Sequence, residues 1–251
     1  YHFHGIHQGG NLERLENVVR IIENQQQIKD RQGNLKISDL KIAAFIPIKG
    51  QTKSINKTHQ LAYTINSAKE SKFIDKIFVS TDSNETAKIA EKLGAYSPFL
   101  RPKELSDPHV NLEMVQQFTL NKLELDGYLP DLIVHLEETC PFRDPGLIDG
   151  MIKRLLKDGF DSVIASKPEP GWIWNESSGK INRLDSGDIP REFKEKTLIG
   201  VQGICCITHP EFIRNKGLLG SKIGLFEIED KRIKHVLNFY KVENNKFKKI
   251  F

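Results

Sequence analysis

From Lys41 onward, short runs of β-branched and aliphatic residues alternate with stretches in which apolar positions recur at helical spacing. The runs "KIAAFIPI", "KIFVST", "LIVHLE", "DSVIAS" and "VQGICCI" predict strands near 42–48, 76–81, 132–136, 162–166 and 201–207. The segments "NETAKIAEKLG" and "GLIDGMIKRLLKDG" between them have the apolar spacing of amphipathic helices. Strands that alternate with helices imply a three-layer α/β core with a mainly parallel sheet and flanking helices, over about residues 41–240. Ligands of such sheets sit at the carboxyl ends of the strands, so the loops that follow strands hold the candidate chemistry.

Ahead of this core the pattern differs. In "NLERLENVVRIIENQQQIKDRQGN", Leu12, Leu15, Val18, Val19 and Ile22 share one helical face before the chain turns wholly polar, which predicts a helix and a linker. We read residues 1–35 as a helical appendage and 36–251 as the main domain. His2, His4 and His7 lie close together, but no neighbouring carboxylate or cysteine completes a metal ligand set. Within the main domain, the irregular stretch of about 167–200 carries Trp172 and Trp174 and reads as an inserted hairpin or flap.

Composition removes several classes. The formal charge of +4 comes from 37 basic and 33 acidic residues, a mixed surface rather than the basic stripe of a nucleic-acid binder. Three cysteines, two of them adjacent at 205 and 206, make neither a disulfide framework nor a CxxC site and point to a reducing compartment. No uncharged apolar run has the length of a membrane span, and none resembles a signal peptide. These features predict a cytoplasmic protein that binds neither nucleic acid nor membrane.

The turn after the first strand is the richest in chemistry. "AFIPIKGQTKSINK" runs from an apolar strand into one glycine, two hydroxyls and three lysines, Lys49, Lys53 and Lys57. Gly50 precedes Lys53-Ser54, but the second glycine of a P-loop is absent, and GxGxxG occurs nowhere. What remains is a strand-end loop offering backbone N–H groups, the Thr52 and Ser54 hydroxyls and ammonium groups, all suited to phosphate. A solvated surface loop has the same composition. Asp82 and Glu85 form a D-x-x-E pair that predicts a cap on the following helix, with Gly94 as its C′ residue.

Two further segments, "FVSTDSNETAKIAEKLGAYSPFLRP" (78–102) and "HLEETCPFRDPGLID" (135–149), resemble the acylneuraminate cytidylyltransferase (CMP-sialic acid synthetase) family over roughly residues 41–240. The resemblance implies a nucleotide-diphospho-sugar transferase, Rossmann-like fold with an inserted dimerisation flap, hence a homodimer. It implies transfer of CMP from CTP to a sialic-acid-like nonulosonic acid. It also assigns candidate roles. Lys53 matches the lysine of the family's strand-end loop and is the catalytic candidate. Lys49, Gly50, Thr52, Lys57, Arg101 and Glu137 join it as nucleotide-binding candidates. Arg143, Arg191 and Gln202 are candidates for the acidic sugar.

Departures from the family pattern set further expectations. Glu137 and Glu138 stand where glutamine and proline are usual, bringing carboxylates towards a polyanion site. The aspartate pair that holds Mg²⁺ in active members would fall at Lys234 and Val236, neither of which can ligate that ion. Glu227, Glu229 and Asp82 are the substitute metal candidates. We therefore expect a cytidylyltransferase whose catalysis is weak, altered or lost. Two other readings stay open: a silent relative that binds a nucleotide or a partner, and a CTP-dependent enzyme acting on another sugar or polyol.

Overall fold

The computed structural model describes residues 37–228 except 56, 108, 170 and 185–195, together with the backbone of 240–243 and 246–249. The appendage at 1–35 lies outside the described residues. The centre is a seven-stranded sheet in the order β11-β6-β10-β5-β1-β4, with β9 paired to β6. Its strands are β1 (Ile42–Ile48), β4 (Lys76–Thr81), β5 (Leu132–His135), β6 (Ser162–Pro168), β9 (Leu198–Gly200), β10 (Cys206–Thr208) and β11 (Ile223–Glu227). β1 pairs parallel with both β4 and β5, and β11 pairs parallel with β6. β10 runs antiparallel between β5 and β6, and β9 runs antiparallel to β6. The sheet is thus mainly parallel, as the alternation of strands and helices implies.

Both faces of β1 are buried, which is why it reads as a continuous apolar run rather than an alternating one. Ile42, Ala44, Ile46 and Ile48 join one core cluster, and Ala43 and Phe45 join the other. The first face is covered by α1 (Gln60–Lys69), α2 (Asn84–Lys92) and α4 (Leu147–Asp158). The second is covered by α3 (Leu112–Leu125) and α5 (Pro210–Arg214), through Leu120, Leu123 and Ile213. With helices on both faces, the central strands β1, β5 and β10 are almost wholly buried, while the edge strands β9 and β11 are partly exposed.

Two local expectations are revised and one holds. The fifth strand begins at Cys206, not near 201, because residues 202–204 form a turn, and it enters the sheet antiparallel. Asp82 does not cap α2. Ser83 does so, its hydroxyl oxygen accepting the Thr86 N–H at 3.3 Å, which leaves Asp82 for another task. Gly94 does adopt the left-handed conformation expected of C′, with φ of 76°.

The segment after β6 forms a hairpin of β7 (Trp174–Ser177) and β8 (Lys180–Arg183). Ser178 and Gly179 turn it with positive φ at both positions, the signature of a type I′ turn. A short ribbon of β2 (Ser54–Ile55) and β3 (Thr58–His59) follows β1, and β12 (Tyr240–Glu243) pairs antiparallel with β13 (Lys246–Lys249). No helix among the described residues is long and apolar enough to cross a membrane.

Candidate active site

A cleft of about 600 Å³ opens at the carboxyl edge of the parallel strands. The turns after β1 and β5, the Arg101 segment after β4, and the turn before β10 build it. Because β10 is antiparallel, its entry turn lies on the same edge as the exits of its neighbours. One wall carries Lys49 and Lys53. An acidic stretch carries Glu137 and Glu138, the latter within reach of the Lys53 charge, and Leu105, Val110, Leu112 and Val115 add an apolar side. A cleft with cationic, apolar and acceptor-rich surfaces suits a ligand made of phosphates, a ring and hydroxyls.

The lysine turn is held open by a set of contacts from α2, the β5 loop, α1 and the Asp82 carboxylate. Gly50 takes φ of 66°, a conformation that L side chains adopt at a cost. Its N–H donates to Asp82 Oδ1 at 2.7 Å, and its carbonyl accepts from the Thr86 hydroxyl at 2.8 Å. Burial pushes the Asp82 carboxyl up, but the Gly50 N–H, its own N–H, the Ser106 hydroxyl and the Arg101 charge outweigh it, so its pKa falls below the usual value. Thr52 is buried. Its hydroxyl donates to Glu138 Oε2 at 2.5 Å and accepts the Leu61 N–H at 3.4 Å, tying the turn to both the β5 loop and α1. The Gln60 N–H donates to the Lys53 carbonyl at 2.7 Å, so the first turn of α1 fixes the backbone that presents Lys53.

Two buried arginines brace the floor. Arg101 Nε donates to Ser106 Oγ at 3.1 Å, while its two terminal nitrogens donate to Ser80 O at 3.2 Å and Ile48 O at 3.0 Å. It therefore stitches the ends of β1 and β4 together beneath the cleft it lines. Arg143 donates to Ile204 O, Thr64 Oγ1, Glu137 O and Gly203 O, at 2.5, 3.2, 2.9 and 3.0 Å. Burial pulls its pKa down to about 10, which leaves it charged at neutral pH. Its guanidinium is spent on backbone carbonyls, as the fork geometry of arginine allows.

The acidic wall is organised from inside. Glu137 Oε1 lies 3.4 Å from His135 Nε2, and Oε2 accepts from the Thr139 hydroxyl at 2.9 Å. The His135 hydrogen bond is the largest influence on Glu137 and holds its carboxyl below the usual value despite burial. For Glu138 burial dominates and raises the pKa, against the Thr52 hydrogen bond and the charges of Lys53 and His59.

The sequence-derived candidates divide accordingly. Lys49, Lys53, Arg101, Glu137 and Gln202 line the cleft. Gly50 and Thr52 shape the lysine turn, and Asp82 braces it. Lys57, with φ of 67°, sits at the exposed tip between β2 and β3 and does not line the cleft. Arg143 lies beneath the β5 loop rather than on the cleft surface. Glu227 is exposed and ion-paired with Lys196. Arg191, Glu229, Lys234 and Val236 fall outside the described residues. Among the described residues no group of three His, Cys, Asp or Glu side chains is arranged to hold a metal ion. The Mg²⁺ implied by the resemblance thus finds no ready ligand set among those residues.

Sequence reading did not single out Gln116, His135 or the apolar side between Leu105 and Val115. His135 carried a signal, as a histidine closing an otherwise apolar buried strand. Gln116 carried none, since a polar residue on an amphipathic helix is ordinarily solvent-facing.

A family model described as cytidylyltransferase matches residues 53–178, half of the chain, starting at Lys53 and running through the cleft loops. The chain belongs to the cytidylyltransferase family. Similar curated proteins include post-translational flagellin modification protein B of Campylobacter coli, 27% identical over 184 residues, covering 71% of this chain and 78% of that one. Pseudaminic acid cytidylyltransferase of Campylobacter jejuni is 27% identical over 136 residues, and the match spans 51% of this chain and about half, 55%, of the relative's length. CMP-N,N'-diacetyllegionaminic acid synthase of Legionella pneumophila is 29% identical over 159 residues, covering 57% and 66%. Among solved structures, CMP:2-keto-3-deoxy-manno-octonic acid synthetase complexed with CTP superposes with a TM-score of 0.56 at 13% identity, over 75% of this chain and 90% of that one. A 4-diphosphocytidyl-2C-methyl-D-erythritol synthase of Anaerococcus prevotii gives 0.55 at 14% identity, over 77% and 90%. Both similarities concern the fold.

Proposed function

We propose that the protein binds CTP in this cleft and transfers CMP to a sialic-acid-like nonulosonic acid. The observation that carries the reading is the Gly50 turn, which sets two lysines at the carboxyl edge of the sheet, in a cleft that also has an apolar side and in a chain matched by the cytidylyltransferase model from Lys53 onward. In the reaction an acceptor hydroxyl oxygen attacks the α-phosphorus of CTP. A new P–O bond forms, the bond to the bridging oxygen of the β-phosphate breaks, pyrophosphate leaves, and the hydroxyl proton passes to solvent. Lys49 and Lys53 offset negative charge on the phosphates, a preorganised electrostatic contribution. The apolar side from Leu105 to Val115 offers a surface for a flat ring.

The relatives' names, which concern pseudaminic, legionaminic and acylneuraminic acids, support a nonulosonic acid as the acceptor class. We place the reaction in the cytoplasm, where CTP is available and where three free, buried cysteines stay reduced. A homodimer through the hairpin of β7 and β8 belongs to the same proposal. Trp172, Trp174, Ile181 and Leu184 are 67%, 52%, 66% and 63% exposed there, an apolar patch of the kind that marks an interface.

Pyrophosphate release from CTP, with pseudaminic, N,N'-diacetyllegionaminic and N-acetylneuraminic acids as acceptors, tests the reading. Turnover with one of them, and none with ATP or GTP replacing CTP, is expected. A slow rate accords with the expectation of impaired catalysis that Lys234 and Val236 raise. CTP binding without turnover would replace the reading by that of a silent nucleotide-binding relative.

A further inference from the structure

The interior behind Glu137 is built in an unusual way. His135 closes β5 and is 3% exposed, and Gln116, on α3, is 1% exposed. Gln116 Nε2 lies 2.6 Å from His135 Nδ1, and His135 Nε2 lies 3.4 Å from Glu137 Oε1. An amide nitrogen facing Nδ1 and a carboxylate facing Nε2 together match the tautomer that carries its proton on Nε2. The arrangement sacrifices a hydrogen bond, because the buried Gln116 Oε1 has no partner. Polar side chains are buried with an unsatisfied oxygen only when something else over-determines their place.

The surroundings converge on the same carboxylate. The Glu137 N–H donates to Gly203 O at 2.9 Å, and its own carbonyl accepts from Arg143. The side chain lies so close to Gly203 that a Cβ added there would stand 2.9 Å from its carboxyl carbon. Thr139 holds the second oxygen. A carboxylate on a surface loop does not ordinarily need a buried histidine, a buried amide and a glycine cradle. The half-exposed end of this assembly faces the cleft, where a negative charge repels phosphate but accepts hydrogen bonds from hydroxyl groups.

We propose that Gln116 and His135 form a buried orienting relay for Glu137, and that Glu137 is the specificity residue that receives hydroxyl groups of the acceptor sugar. The phosphates keep to the Lys49 and Lys53 wall. This inference rests on the CMP-transfer reading and assigns a side of the cleft within it. Gln116 and His135 are positioning residues, since neither lines the cleft.

The experiment compares the wild type with Glu137→Gln, Gln116→Met and Thr139→Val in steady-state pyrophosphate release, using CTP and the acceptor that the wild type turns over. Nitrogen-15 NMR of the histidine ring is recorded alongside. Glu137→Gln should raise the acceptor KM roughly tenfold or more, the loss expected of a charge-assisted hydrogen bond, and leave the CTP KM within about twofold. Gln116→Met leaves the carboxylate in place, yet should raise the acceptor KM and convert His135 from the Nε2–H pattern to a mixture of tautomers. Thr139→Val sits on an exposed loop and tests the same carboxylate should the Gln116 variant fail to fold. An unchanged acceptor KM in Glu137→Gln and Thr139→Val, or a rise confined to the CTP KM, overturns the inference and leaves CMP transfer standing. No turnover by the wild type with any acceptor overturns both.

Discussion

Replacing Arg101 by methionine should cost far more than removing one surface charge. The residue is 5% exposed and donates to the carbonyls of Ile48, the last residue of β1, and Ser80, the penultimate residue of the adjacent β4, and to the Ser106 hydroxyl. Methionine fills much of the volume but offers no donor. Two strand-end carbonyls are then left without their side-chain partner, at about 1–3 kcal/mol for each buried acceptor. Asp82 loses the nearby positive charge as well, which loosens its hold on the Gly50 N–H. A total near 3–5 kcal/mol follows, or a fall in Tm of about 10 °C for a domain of this size. Scanning calorimetry or thermal circular dichroism reads it directly. Arg101→Lys should recover less than half of the loss, because a single ammonium cannot span two carbonyls and a hydroxyl in fixed directions. A methionine variant within about 2 °C of the wild type would refute the view that Arg101 ties β1 to β4.

Three other outcomes follow from the same geometry. Glu138→Gln keeps an oxygen for the Thr52 hydroxyl and removes the charge beside Lys53. Because burial raises the Glu138 pKa in the folded state, ionising it costs the native protein stability as pH climbs from the ordinary glutamate value of 4.5 through the raised one. The variant should match the wild type in Tm at pH 4 and exceed it at pH 8, and equal Tm values at both would contradict the burial argument. Gly203→Ala places a Cβ 2.9 Å from the Glu137 carboxyl and 3.1 Å from Cys140 Sγ, both side-chain atoms able to yield, so a drop in Tm of only a few degrees should accompany a clear shift of the His135 ring signals. Trp172→Ser with Trp174→Ser should convert a dimer to a monomer in light scattering at micromolar concentration, and a wild type already monomeric there rules out the hairpin interface.

The sequence made the layering legible because burial on both faces leaves an unmistakable mark. β1 needed no homologue to be recognised, since "IAAFIPI" has no polar side that could meet water. The lysine turn was readable as a strand-end loop from its glycine, hydroxyls and lysines, whereas the left-handed conformation of Gly50 came only with the structure. Roles that depend on distant partners were not. Arg143 matched a family motif and was expected to meet substrate, but three of its four partners, Ile204, Thr64 and Gly203, lie 61, 79 and 60 residues away, which no local pattern encodes. Asp82 had every local feature of a cap, and Ser83 took that place because its hydroxyl reaches the Thr86 N–H, freeing Asp82 to hold Gly50 across 32 residues. The link between Gln116 and His135 is of the same kind: it joins a helix to a strand through the core, and each residue by itself looks ordinary.

The central claim is that the Lys49–Lys53 turn receives the triphosphate of CTP. Isothermal titration of CTP into the wild type and into Lys53→Ala, at fixed ionic strength, tests it most directly. Lys53 is exposed at the cleft, and the Gln60 hydrogen bond that fixes its turn uses its backbone carbonyl rather than its side chain, so the variant should fold as the wild type does. A charge-assisted contact to phosphate is worth about 1.5–3 kcal/mol, so Lys53→Ala should weaken CTP binding about ten- to a hundredfold. Equal affinity in the two proteins, or no binding of CTP by the wild type, would contradict the account.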